Sequence, residues 1–153
     1  MRVLELKVPP PALALATAAL MWLASRFVPG LAFVLTTSNL LAVGLAAIGF
    51  IVAISGVVAF RRARTTLNPT RPEASSSLVS WGIYKITRNP MYLGLLLVLT
   101  AWAIFLSNWI AFLFLPAFVV YMNRFQIVPE EKALTALFAR DFVAYQSRVR
   151  RWL

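Results

Sequence analysis

The stretch Asn89–Asn123, NPMYLGLLLVLTAWAIFLSNWIAFLFLPAFVVYMN, carries no charged side chain and is held between Arg88 and Arg124. A bilayer core of ~30 Å takes about 20 helical residues, with a lower limit of about 17. These 35 residues are too many for one span and few for two. Ser107 and Asn108 stand at the middle, and both are natural turn and cap residues because their short polar side chains bond to nearby backbone. The stretch therefore reads as a tight helical hairpin with arms at roughly 90–106 and 109–125. Each arm is short, so polar flanks must extend it or the bilayer must thin around it. Pro116 lies inside the second arm and predicts a kink there.

Two further uncharged stretches lie upstream. Pro9–Ser25 sits between Lys7 and Arg26, and Asn39–Phe60 is closed by Arg61 and Arg62. Each suits one span, the first barely. The first also has the basic start and apolar core of a signal peptide, but Arg26, Phe27 and Pro29 follow where a small-residue cleavage site would stand. The expected fold is thus all-α and integral to the membrane. It has about four transmembrane helices, the last two a tight hairpin, and then a C-terminal amphipathic helix at the interface. Residues 1–60 supply two scaffold helices and 61–153 the functional core. In the second span Ala42, Ala46, Gly49, Ala53 and Gly56 recur at steps of four and three, a small-residue stripe that permits close helix contact in lipid.

Composition agrees with a membrane reading and removes several chemistries. The chain has 153 residues, is 61% hydrophobic, and has a mean hydropathy of +0.79. It contains no cysteine, which excludes disulfides and thiolate nucleophiles. It contains no histidine, the commonest general base and metal ligand. With five acidic residues in all, no metal site is expected. A net charge of +10 would suggest nucleic acid in a soluble protein; here it points to anionic lipid headgroups and not to nucleic acid. Fourteen of the fifteen basic residues lie in 1–8, 61–88 or 124–153. The positive-inside rule then places both termini and the 61–89 loop in the cytoplasm.

The loop and the tail hold the polar residues. TTLNPTRPEASSS, residues 65–77, reads as an extended loop, since residues before proline avoid the helical region. In GIYKITRNPMYLG, residues 82–94, Asn89 suits the N-cap and Pro90 the first turn of the third span. Free backbone N–H groups at that helix start, with Arg88 beside them, form either a carboxylate or phosphate site or an ordinary cap with a snorkelling arginine. The tail opens with Pro129, Glu130 and Glu131, an acidic helix start. Leu134, Leu137, Phe138, Phe142, Tyr145, Val149 and Trp152 follow as an amphipathic stripe, with Arg148, Arg150 and Arg151 suited to anionic lipid. Glu130 and Glu131 either serve the helix dipole or face the Arg88 cluster; of the two, Glu131 shares a sector with Leu134 and Phe138 and is the one expected to face the packed side.

The combination is specific. Gly82, Tyr84, Arg88-Asn89-Pro90, Tyr92 and Gly94, an uncharged hairpin, Pro129-Glu130-Glu131, then Phe138, Asp141-Phe142, Tyr145 and an Arg-Arg-Trp end resemble the isoprenylcysteine carboxyl methyltransferase family over about 65–153. They also resemble the related phospholipid methyltransferases. Asn89 stands where eukaryotic prenylcysteine enzymes usually carry histidine, Ala139 where a glycine is common, and no G-x-G precedes the third span. The resemblance implies a membrane enzyme that takes a methyl group from S-adenosylmethionine, in a pocket that is not a Rossmann fold. It implies a lipidic or amphiphilic acceptor, a carboxylate first and a phospholipid or other amine second; a non-catalytic membrane scaffold is the remaining alternative. By this resemblance Arg88 and Tyr92 are the catalytic pair, and Tyr84, Arg88, Asn89, Pro90, Tyr92, Glu130 and Glu131 line the cofactor site. Arg88 would pair with the cofactor carboxylate, the two glutamates with its amine or ribose hydroxyls, and the two tyrosines with the sulfonium.

Overall fold

The third apolar helix is the axis of the molecule. In the computed structural model, which describes residues 5–34, 37–64 and 75–153, it runs as α3, Pro90–Leu106. Two earlier helices, α1 (Pro10–Phe27) and α2 (Ser38–Arg62), both pack on it. After it come α4 (Trp109–Phe112), α5 (Phe114–Tyr121), a π-helical segment Met122–Ile127, and α6 (Val128–Gln146). Among the described residues there is no strand, only an isolated bridge between Ala32 and Asn108. Most of the 65–77 loop, residues 65–74, lies outside the described residues.

Among the described residues two elements are long and apolar enough to cross a membrane: Ser38–Arg62, and the 38-residue rod Trp109–Gln146, which is interrupted at Leu113 and kinked at Ala139. Pro90–Leu106 is apolar but shorter. The chain turns where the serine and asparagine stand. Ser107 closes α3 in the left-handed conformation, φ 49°, ψ 44°. Asn108 accepts from the Ile110 N–H at 3.0 Å and caps α4, while its amide donates to the Val28 carbonyl at 2.9 Å. The Phe33 N–H donates to the Ser107 carbonyl, so this turn is tied to the segment joining α1 to α2.

Proline chemistry shapes the rod. The ring of Pro116 clashes with the carbonyl four residues back, at Phe112, and α4 ends there, with Leu113 as a turn before α5. Pro129 has no N–H for the Phe125 carbonyl, and the Leu6 N–H takes that acceptor at 3.0 Å. The tail therefore does not begin a separate helix at Pro129; the π segment carries the rod straight into α6. Nor does the helix reach Trp152. It stops at Gln146, and the last residues turn back toward the start of α3. Arg150 and Arg151 consequently meet the 87–89 loop instead of lying along a lipid-facing helix.

The α2–α3 contact is the closest in the bundle. A Cβ on Gly94 would lie 2.5 Å from the Gly49 carbonyl oxygen and 2.7 Å from the Ala53 Cβ, and one on Gly56 would lie 2.9 Å from Met91. The lower part of the small-residue stripe thus seats α2 on α3. Its upper part, Ala42 and Ala46, borders an apolar groove of about 630 Å³ between α1 and α2, floored by Leu99 and Trp102 of α3. The Trp102 N–H donates to the Ala18 carbonyl at 3.0 Å, so the indole shows the groove only its ring. One core cluster fills the bundle around Met21, Leu99, Ala103, Phe118 and Ile127. A second closes its end around Ala59, Val79, Tyr84, Phe142 and Tyr145.

Candidate active site

The site is assembled where α3 begins, the rod leaves its apolar stretch, and the C-terminal residues return. Asn89 occupies the N-cap position and Pro90 the first turn of α3, but the Asn89 side chain makes no cap. Its amide donates instead to the Arg151 carbonyl at 2.9 Å, and its backbone N–H to the Thr87 hydroxyl. Thr87 is fully buried and donates to the same Arg151 carbonyl. The Arg88 N–H donates to the Arg150 carbonyl at 3.0 Å. The tail end and the Arg88 loop are thereby one unit.

The two glutamates have opposite surroundings. Glu131 lies between two guanidiniums: Arg151 donates from Nε at 3.1 Å and from Nη2 at 2.7 Å, and Arg88 Nη1 lies 3.1 Å away. The Arg88 contact is an ion pair without hydrogen-bond alignment, and among the described residues Arg88 Nε and Nη1 are buried with no hydrogen-bond partner. A buried N–H left in that state costs about 1–3 kcal/mol.

Among the described residues Glu130 meets no cation. Its Oε1 accepts from the Tyr92 hydroxyl at 2.5 Å and from the Gln126 amide at 2.6 Å. It lies beyond the uncharged part of the rod, and burial pushes its carboxyl from 4.5 up to about 7; the hydrogen bonds from Tyr92 and Gln126 act the other way, and the Glu131 charge adds to the rise. Tyr84 sits in the neighbouring cluster against Phe60, and its carbonyl accepts from the Tyr145 hydroxyl at 2.7 Å. Burial, then Tyr145 and Glu130, raise its phenol well above the ordinary range.

The structure thus brings Arg88, Asn89, Pro90, Tyr92, Glu130 and Glu131 together, with Tyr84 packed alongside. It adds two residues that sequence reasoning passed over. Gln126 lies one turn before Glu130 in the π segment, a distortion that recurs at functional sites. Arg151 appeared only as one of several basic tail residues. The arrangement offers a cation with two buried donor atoms unused among the described residues on one side and a half-buried carboxylate on the other. Together they complement a zwitterion such as the amino-acid end of a ligand.

A phospholipid methyltransferase family model matches residues 37–141, which run from the start of α2 through Arg140 and Asp141 of α6. The chain belongs to the phospholipid methyltransferase family. It is therefore a methyltransferase, and the family matches despite the absent G-x-G. Protein-S-isoprenylcysteine O-methyltransferase B of Arabidopsis thaliana is 33% identical over 105 residues, 67% of this chain and 52% of that protein. An uncharacterized protein of Haemophilus influenzae is 44% identical over 63 residues, 41% of this chain and all of that protein. No solved structure matches. The matched region of this methyltransferase holds Arg88, Tyr92, Gln126 and both glutamates, while Arg151 lies beyond it.

Proposed function

We propose that the chain transfers a methyl group from S-adenosylmethionine to a lipidic or amphiphilic acceptor at a membrane interface. The observation that carries the reading is the Arg88 guanidinium, two of whose donor atoms are buried and unused among the described residues, in one site with a Glu130 carboxylate that accepts from Tyr92 and Gln126 and pairs with no described cation. Arg88 would hold the cofactor carboxylate and Glu130 its ammonium. Tyr92, fixed by Glu130, and Tyr84 would present aromatic faces to the sulfonium. The cofactor supplies an already activated methyl group. The protein's work is then to position it, exclude water and admit the acceptor. Asn89 and Pro90 set the backbone from which Arg88 and Tyr92 project.

Four spans would seat this cluster at the cytoplasmic face: α1, α2, α3, and the rod from Trp109 into the π segment. The apolar groove between α1 and α2 has the volume of an ordinary ligand pocket and suits a hydrocarbon chain. A carboxylate acceptor is ionised at neutral pH and needs no base, which accords with a chain lacking histidine. The likeness to the Arabidopsis O-methyltransferase supports that acceptor. An amine acceptor is the second reading, favoured by the phospholipid methyltransferase match. The two differ in product: a methyl ester is cleaved by mild base and a methylamine is not.

Calorimetry with S-adenosylhomocysteine on detergent-purified protein tests the cofactor. Arg88→Ala should weaken binding by about 1.5–3 kcal/mol, the scale of a hydrogen bond to a charged group. Arg88→Lys should recover only part, because lysine lacks the planar fork. Unchanged affinity in a folded Arg88→Ala protein would return Arg88 to a structural role.

A further inference from the structure

Among the described residues Glu131 is the anion paired with Arg88, yet it does not satisfy it. Its two oxygens are committed to the Nε and Nη2 of Arg151, at 3.1 and 2.7 Å, a two-point fork that fixes the plane of the carboxylate. Arg88 Nη1 lies 3.1 Å from Oε1 but out of line, and Nε has no partner among the described residues. Arg151 is itself held against movement. Its carbonyl accepts from Asn89 and Thr87, the carbonyl before it accepts from the Arg88 N–H, and the Trp152 indole after it donates to Asn123.

We infer that Arg151 is a positioning residue for ligand binding: by gripping Glu131 it keeps the protein's own carboxylate from closing on Arg88, and so leaves the Arg88 donors to the carboxylate of the cofactor. The inference rests on the reading that the cofactor carboxylate meets Arg88. Without Arg151, Glu131 is free to rotate into the fork of Arg88 and becomes an internal competitor for the incoming anion. The end of the tail thereby acts on a guanidinium more than sixty residues earlier in the chain without touching the ligand.

The distinguishing property is that a second loss should repair the first. Calorimetry on the full chain would use S-adenosylhomocysteine and, as a probe lacking the amino-acid end, 5′-methylthioadenosine. Arg151→Ala should weaken S-adenosylhomocysteine about tenfold or more and leave methylthioadenosine unchanged. Adding Glu131→Gln, which removes the competing charge, should raise affinity at least about threefold above that of Arg151→Ala alone. If Arg151→Ala does not fold, Arg151→Lys carries the same test, since it keeps charge but not the fork. Three results overturn the inference: affinity unmoved by either Arg151 substitution, equal losses for both probes, or a deeper loss when Glu131→Gln is added. Wild-type protein that fails to bind S-adenosylhomocysteine removes the cofactor reading as well; normal wild-type binding without the rescue removes this inference alone.

Discussion

Glu130 is a half-buried carboxyl held against a phenol and an amide with no cation beside it among the described residues, and its folded pKa of about 7 against an ordinary 4.5 makes its charge a cost to the folded protein. The sign follows from proton counts. Between about pH 4.5 and 7 the folded state keeps a proton that the unfolded chain has released, so stability falls as pH rises through that window and levels off above it. A shift of that size corresponds to roughly 3 kcal/mol. Glu130→Gln should flatten the wild-type decline in melting temperature from pH 5 to 7, and at neutral pH should melt higher while binding S-adenosylhomocysteine more weakly. Ala139 carries strain of another kind. It breaks α6 with φ 38° and ψ −112°, a conformation that an L side chain disfavours and glycine accepts. Ala139→Gly should stabilise the protein by about 1 kcal/mol, read as a rise in melting temperature. This position was visible beforehand as one where the resembling families commonly carry glycine. Arg88, Tyr92 and the glutamate pair were legible too, because they stand in dense polar motifs beside long apolar runs. Gln126 and Arg151 were not. The first is a lone amide whose burial depends on a π segment, and the second is one of several tail arginines that only the returning backbone singles out.

At the level of elements, helix packing here is decided by what is missing. Gly49 and Gly94 face each other across the α2–α3 contact, and any Cβ on Gly94 would meet the Gly49 carbonyl oxygen, which as backbone cannot rotate away. Gly94→Val should therefore separate the helices and destabilise the protein by about 1–3 kcal/mol, the usual range for overpacking, whereas Gly44→Ala, with open space around it, should be close to neutral. Thermal unfolding of the two variants in one detergent checks the contrast. The existence of α2 and α3 and the break at Ser107–Asn108 followed from charge-free length and turn chemistry. The course of the tail did not. An acidic Pro-Glu-Glu start predicts a new helix, and three- and four-residue apolar steps predict that it continues to Trp152. The structure runs the previous helix through Pro129 because the N-terminal segment supplies the N–H that proline lacks. It ends α6 at Gln146, where the Arg148 N–H takes the Tyr145 carbonyl three residues back and the carbonyls of Arg150 and Arg151 accept from the 87–89 loop. Both are long-range contacts, and local periodicity carries no trace of them.

Over the whole molecule, the placement of charge sets the face on which the site must open. The turn at Ser107–Asn108 is bonded to the α1–α2 connection, so that end of the bundle holds Arg26 and Thr37. The opposite end holds Arg61 and Arg62 at the close of α2, Lys85 and Arg88 before α3, and the tail arginines. Arg26 lies 5.8 Å from the Trp22 ring centroid, an interfacial pairing of the kind found at helix ends. A bundle with its cations so divided should insert with the Arg88 end in the cytoplasm. Because the chain has no cysteine, single introduced thiols report their side without background. Thr37 and Ser76 are both exposed, Thr37 just ahead of α2 and Ser76 bonded to the Arg64 carbonyl just past its end. The 25 residues of α2 between them span about 37 Å at 1.5 Å per residue, enough to cross the hydrocarbon core. An impermeant maleimide should label Thr37→Cys in intact cells and Ser76→Cys only after permeabilisation. Labelling of both from one side would mean that α2 does not cross, and the site cluster would then have no fixed relation to the cytoplasm from which the proposed cofactor would come.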